Sequence, residues 1–296
     1  MIDRIVELSE GPARLSIRLD QLVIEPEGGT TVTTPVSELA ALVVTHPRVQ
    51  LTQSVISRIS MAGGAVVFCD DKYQPAAMTL PLQAHFVQTE RYSRQAQLSA
   101  PARKRLWQQI VRAKIRAQSR ALLELHGSDE GLSNMAQRVR SGDPDNIEGQ
   151  AARRYWPLLF QNPRFRRGSE GPDQNTHLNY GYALLRAAVA RALCANGLHP
   201  SFGLQHHNRY DSFCLASDFM EPFRPLVDKK VAQWVREHDP AEPLDRRTKQ
   251  VLLSVLADRY EAEGEERSLF DLLARAGASL VRVILGQDSI LQIPEV

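Results

Sequence analysis

Over roughly the first eighty residues, apolar and polar positions follow the period of strands. Leu15, Ile17 and Leu19 alternate with Ser16 and Arg18, which puts one apolar edge on a half-buried strand. Leu22-Val-Ile24 reads as the next strand, and Glu27-Gly-Gly-Thr30 as a turn leading into residues 31–34. Leu39–Val44 is apolar at nearly every position, the pattern of a short strand covered on both faces. Thr52 can cap a helix that runs to Met61 and is stopped by Gly63-Gly64. Residues 65–69 and 76–80 then complete a small sheet. From about residue 90 the period becomes helical: Leu106, Ile110, Ala113 and Ala117 form one apolar stripe with basic residues around it. Segments 147–160, 175–196, 212–236, 246–263 and 268–285 also read as helices, Gly286 ends the last one, and residues 289–294 read as extended. The pattern predicts an α+β chain. A small β-rich domain spans 1–81, a hinge 82–92, and a larger all-α domain 93–296.

Length agrees with two domains, since 296 residues bury a sizeable core. Net charge is only +2, from 36 basic and 34 acidic residues, so the chain is no global polycation. The charges are segregated, however. Residues 91–120 carry Arg91, Arg94, Arg103, Lys104, Arg105, Arg112, Lys114, Arg116 and Arg120 with no acid, while 239–271 is acid-rich. Arg outnumbers Lys 30 to 6, which suits bidentate contacts to phosphate, although a GC-rich genome produces the same bias. Cys69, Cys194 and Cys214 are far apart, odd in number and without a CxxC pair, which indicates neither a disulfide framework nor a thiolate zinc site. The start of the chain lacks the apolar run of a signal peptide, and no apolar run approaches membrane-spanning length. The expectation is a cytoplasmic protein with no membrane partner.

The chemistry-bearing residues gather in two places. His206 and His207 stand beside Asn208, and Asp218 and Glu221, three residues apart on a predicted helix, share one face of it. Glu148 lies far upstream. An imidazole with separated carboxylates is how a chain builds an open divalent-metal site for phosphate chemistry. Each residue also has a plainer local reading. Asp145-Asn-Ile-Glu148 has the form of a helix cap with an acid in the first turn. His206 and His207 fit ordinary imidazoles, and Asp218 a solvated helix residue that could orient Arg224 or another basic group. Arg164, Arg166 and Arg167 sit in a Pro- and Gly-flanked loop suited either to solvent or to DNA phosphates. Tyr180 and Tyr182 read as core or interface residues and not as DNA contacts.

Six segments occur in one order: Val66-Val-Phe-Cys-Asp-Asp-Lys-Tyr-Gln-Pro-Ala-Ala-Met-Thr-Leu-Pro81, Asn146-Ile-Glu-Gly-Gln-Ala-Ala-Arg-Arg-Tyr155, Phe165-Arg-Arg, Asp173-Gln-Asn, Leu178-Asn-Tyr-Gly-Tyr-Ala-Leu-Leu185, and the His206 stretch closed by Glu221-Pro-Phe-Arg-Pro. Together they resemble the CRISPR-associated integrase family, protein one of the spacer-acquisition machinery, in the form associated with type II systems. The resemblance implies that Glu148, His206 and Glu221 are catalytic and bind Mg²⁺ or Mn²⁺, with Asp218 and His207 supporting them. The metal-binding His of the family stands three residues after a Gly. That is His206 here, and adjacent His207 is the alternative. The implied reaction is attack of DNA 3′-hydroxyls on phosphodiesters at the CRISPR repeat, which inserts a captured fragment, with associated endonuclease activity. Implied partners are double-stranded DNA, a second copy of the chain in a homodimer, and a small second CRISPR-associated protein bridging two dimers. The β-rich domain then serves dimerisation or scaffolding. A non-catalytic DNA-end-binding subunit of a larger complex is the competing reading, but it has no use for the three ligands. A phosphohydrolase of small molecules would explain the ligands and not the basic segments.

Overall fold

The computed structural model describes residues 4–70, 75–79, 81, 83–168 and 173–296. The expected strand-turn-strand falls partly outside the described residues, at 71–74, as does Leu80 at the end of the expected 76–80 strand. Among the described residues eight strands come first: β1 (Arg4–Leu8), β2 (Ala13–Arg18), β3 (Gln21–Pro26), β4 (Val32–Pro35), β5 (Leu39–Val44), β6 (Gln50–Leu51), β7 (Ala65–Cys69) and β8 (Pro75–Met78). Helix α1 (Gln53–Met61) connects β6 to β7. One sheet runs β1-β5-β7-β8, with β1, β5 and β7 parallel and β8 antiparallel, and the other runs β4-β3-β2-β6. Thr52 occupies the cap position of α1, although its hydroxyl bonds to Ser54 Oγ at 2.9 Å and not to the helix backbone. The expected alternation through Leu19 stops one residue early. Leu19 and Asp20 take positive φ (48° and 58°) as the two-residue turn between β2 and β3, so Leu19 is the exposed tip.

Strand β5 shows why its sequence is apolar throughout. Leu42 and Val44 pack against Leu15, Leu22 and Ile24 of the second sheet and Val55 and Ile59 of α1. Val43, with Val67, faces the helices and joins their core. Both faces of the sheet are therefore covered, as buried parallel strands require.

The helices that follow are α2 (Gln88–Ala96), α3 (Ala100–His126), α4 (Leu132–Arg138), α5 (Ile147–Leu159), α6 (Gln174–Ala195), α7 (Cys214–Phe219), α8 (Arg224–Trp234), α9 (Arg246–Ala257) and α10 (Leu269–Ile284). Ser99 caps α3 by accepting from Ala102 N, and Gly127 ends it at φ 75°. Two helix expectations need correction. The segment 212–236 is not one helix, because a 3₁₀ turn, Glu221–Phe223, separates α7 from α8. Pro222 and Pro225 lack the N–H groups that a continuous helix would donate here. The segment 246–263 stops at Ala257 and turns into the antiparallel pair β9 (Arg259–Ala262) and β10 (Glu265–Ser268). Glu263 and Gly264 both have positive φ (57° and 78°), the geometry a tight hairpin demands. The all-α expectation for residues 93–296 is corrected by that hairpin.

The acid-free basic run 91–120 is also not a free surface. Arg112 donates to Val139 O at 2.8 Å, Arg120 to Val296 O at 3.0 Å and to Glu295 at 2.9 Å, and Arg116 lies 3.6 Å from Glu295. Arg91 donates to Asn196 O at 2.7 Å, while Arg94, Lys104 and Arg105 remain exposed. Helix α2 is anchored further by Gln95, which exchanges bonds of 2.9 and 3.0 Å with the His199 backbone. Phe86, just before α2, is 93% exposed. If the chain divides at 82–92, chymotrypsin should cut first after Phe86 and release fragments 1–86 and 87–296, since exposed junctions are nicked before packed elements. First cleavage within α3 would count against that division.

Candidate functional site

Helix α5 presents Glu148 from its first turn, and the capping question raised by the sequence is settled by other residues. Asp143 accepts from Ile147 N at 2.8 Å and Glu148 N at 2.9 Å, while Asn146, at φ 50°, accepts from Gly149 N at 3.1 Å. Asp145 turns away to Arg140 at 2.8 Å. With the helix terminus satisfied, the Glu148 carboxylate is available elsewhere. Its Oε1 accepts from Lys114 Nζ at 2.6 Å.

Lys114, from α3, also forms an ion pair with Glu221 Oε2 at 2.6 Å. Arg224 approaches the other Glu221 oxygen at 3.0 Å. Burial alone would raise the Glu221 pKa, but Lys114 and Arg224 outweigh it and hold the carboxyl below its ordinary value. Burial likewise opposes the Lys114 charge, and Glu221 and Glu148 reverse that effect and raise its pKa.

Asp218 and Glu221, one on α7 and one on the 3₁₀ turn, engage different partners. Asp218 is fully buried and serves the loop before α7. It accepts from Leu204 N at 2.6 Å and Gln205 N at 2.9 Å, and its Oδ1 is bonded to His206 Nδ1. This loop closes only because residue 203 is glycine, since a Cβ there would stand 2.1 Å from His206 O. The Asp218 hydrogen bond raises the His206 pKa against the opposing effect of burial. With Nδ1 so engaged, Nε2 is left for other work. His206 sits edge-on to Trp107 of α3 with ring centroids 5.8 Å apart. His207 is exposed and lines a separate cavity of about 150 Å³ with Arg103, Phe202 and Ile284.

Behind the carboxylates lies a layer that sequence reasoning missed. Asp228 of α8 is buried and accepts from Tyr155 of α5 at 3.0 Å and from Tyr182 of α6. Burial pushes its pKa up to about 7, although both tyrosine hydrogen bonds and Arg224 oppose the shift. Arg224 lies 4.6 Å over the Tyr182 ring and Arg167 5.2 Å from it. Arg167 also donates to Asn179 at 2.6 Å and Asn175 at 2.9 Å. Of the three loop arginines, therefore, Arg167 is tied inward, while Arg164 and Arg166 are exposed. Lys114 carried a sequence signal: at helical spacing from Trp107 and Val111, it is a charge on an otherwise apolar face.

Two carboxylates meeting at one cation fit a hard divalent ion, as does the buried Glu221 Oε2 without a hydrogen-bond partner. The imidazole oriented by a carboxylate completes the donor set. Among the described residues no three His, Cys, Asp or Glu side chains are drawn to coordinating spacing, and the Lys114 ammonium stands between Glu148 and Glu221.

A family model described as CRISPR associated protein Cas1 matches residues 7–259. The CRISPR-associated endonuclease Cas1 of Neisseria meningitidis serogroup C (strain 8013) is 32% identical over 293 residues, covering 98% of this chain and 95% of that protein. A casposase bound to integration product has a similar fold, with a TM-score of 0.78 at 19% identity, covering 99% of this chain and 94% of that one. So does a chain of a Cas6-RT-Cas1–Cas2 complex, with a TM-score of 0.76 at 17% identity, covering 99% of this chain and 36% of that one.

The charge network makes two outcomes testable by chemical denaturation. Glu221→Ala leaves Arg224 without its carboxylate and Lys114 with Glu148 alone, and should cost about 3–5 kcal/mol, with Glu221→Gln costing less. Asp228 should make stability fall as pH rises. Below about pH 4 its carboxyl is protonated in both states. Between there and its folded value of about 7 only the unfolded chain ionises freely, so stability declines and then levels off. Asp228→Asn should lack that decline and gain on the wild type from pH 4 to 7.

Proposed function

Because this chain belongs to the CRISPR associated protein Cas1 family, we propose that it is a CRISPR-adaptation integrase, inserting captured DNA fragments as new spacers and carrying an associated DNA endonuclease activity. The observation that carries this reading is the meeting of Glu148 and Glu221 at one cation, with His206 of the same site held by Asp218. Glu148, Glu221 and His206 Nε2 would hold Mg²⁺ or Mn²⁺, which when bound polarises the scissile phosphate and stabilises the charge developing on it. The nucleophile is a DNA 3′-hydroxyl, so the chain supplies positioning and charge and needs no reactive Ser or Cys. Burial in fact raises the pKa of Cys69 and Cys194, against nucleophilic use. Asp218 fixes the ring and tautomer of His206, and Arg224 holds Glu221 in place while its guanidinium is braced on Tyr182.

The same reading extends to partners and assembly. Exposed Arg164 and Arg166 contact DNA phosphates, and Arg167 braces their loop from within. Residues 1–81 serve as a dimerisation scaffold, 82–92 as the junction, and 93–296 as the catalytic unit. Two copies form a homodimer, and a small second adaptation protein bridges dimers, a role for which the Cas1–Cas2 complex among the fold neighbours is support. Association with a type II system is part of the proposal. No described helix is long and apolar enough to cross a membrane, and a cytoplasmic location belongs to the proposal because its substrate is cellular DNA.

Strand transfer of a labelled duplex, reconstituted with the co-encoded small partner, tests the assignment. Glu148→Ala, His206→Ala and Glu221→Gln should each lose product formation while retaining duplex binding, and His207→Ala should remain active. Activity retained in His206→Ala and lost in His207→Ala would shift the ligand by one residue. Replacing Arg164 and Arg166 together by Ala should flatten the log–log salt dependence of duplex binding by about one to two units, at about 0.9 per phosphate contact. An unchanged slope would return this loop to solvent.

A further inference from the structure

Glu148 and Glu221 come from different elements, yet each places an oxygen 2.6 Å from the same ammonium, Lys114 Nζ. Two carboxylates sharing a site destabilise each other unless a positive charge lies between them. The Lys114 side chain is only 13% exposed and that of Glu221 only 5%, so neither charge is relieved by water. Arg224 cannot substitute, since it reaches Glu221 from the other oxygen and is stacked on Tyr182. The ammonium thus stands where a divalent cation bound by these carboxylates would carry its charge.

We propose that Lys114 is a resident counter-ion: without metal its ammonium bridges Glu148 and Glu221, and a divalent cation exchanges with it for the same two carboxylates, the released ammonium pairing with a phosphodiester of the DNA. The inference rests on the metal-site reading above. Its consequence is thermodynamic. A metal entering alone must displace a buried charge that then has no partner, so binding is weak. A phosphate placed at the site supplies that partner, so metal and DNA each strengthen the binding of the other by the same factor. The site is held in shape before the metal arrives and commits to it when substrate is present.

The test is Mn²⁺ binding by the full-length chain, followed by calorimetry and by the signal of free Mn²⁺, with and without a short duplex. Wild type and Lys114→Arg should bind Mn²⁺ weakly alone and at least about tenfold more tightly with DNA, within the usual range of site-to-site coupling. Lys114→Met should bind Mn²⁺ alone at least about tenfold more tightly than wild type, and the added effect of DNA should shrink. Its metal-free Tm should fall, because two carboxylates are left facing each other, and Mn²⁺ should restore it. A Lys114→Met protein that folds only with Mn²⁺ supports the exchange. Equal or weaker Mn²⁺ binding by Lys114→Met with an unchanged metal-free Tm overturns it, as does wild-type Mn²⁺ affinity indifferent to DNA. If no variant binds Mn²⁺ in any condition, the metal-site reading itself fails and this inference falls with it.

Discussion

Bringing buried Glu221 and partly buried Glu148 to one site requires a cation with them, and that requirement ties together the helical part of the chain. Glu221 lies on the turn between α7 and α8, Glu148 on α5, and Lys114 on α3. Their contacts of 2.6 Å hold three separately folded elements at one point. A hydrophobic core alone specifies volume loosely, whereas buried charges tolerate few arrangements. Removing any one member unbalances the charge of those that remain, so the geometry of the site and the stability of its surroundings rest on the same atoms.

A second polar anchor sets the position of the imidazole. Asp218 has no exposed surface and spends its oxygens on backbone N–H groups of residues 204 and 205 and on the His206 ring. The loop is therefore built around the carboxylate, and Gly203 is the residue that lets it close. Behind both anchors, Asp228 gathers hydroxyls from α5 and α6, the first of which also carries Glu148. Movement of α8 would thus be felt at Tyr155, two turns along the helix from that ligand.

Much of this was legible from periodicity. The strand pattern located β5 to the residue, and the helical periods found the extents of α5, α6 and α10 within a residue or two. Glu148, His206, Asp218 and Glu221 were singled out by the family resemblance, each having a plainer local reading, and the structure brings Glu148 and Glu221 to one ammonium. What escaped depends on tertiary partners. Nothing local states that Asp143 rather than Asp145 will cap α5, because the choice turns on a positive φ at Asn146 and on Arg140. The hairpin at 259–268 follows a long helical pattern and is betrayed only by Glu263-Gly264. Lys114 is one of nine basic residues in an acid-free run, and although its helical spacing from Trp107 and Val111 sets it apart, only the two acids that meet it from elsewhere show its role.

That last point changes how an arginine-rich composition should be read. A guanidinium suits phosphate because it offers several donors in one plane, and the same property suits carbonyl and carboxylate oxygens inside a protein. Arg112 and Arg120 bond backbone carbonyls, Arg167 bonds two asparagines, Arg224 pairs with Glu221, and Arg267 pairs with Asp271. These residues stiffen the fold and add little positive charge for a partner to meet. Net charge is +2 over the whole chain, so any attraction for DNA must concentrate where cations stay exposed, as at Arg94, Lys104, Arg105 and Arg164. Counting basic residues along the sequence overstates that surface. Subtracting those already committed to oxygens of the chain leaves the few that can still exchange a counterion for a phosphate.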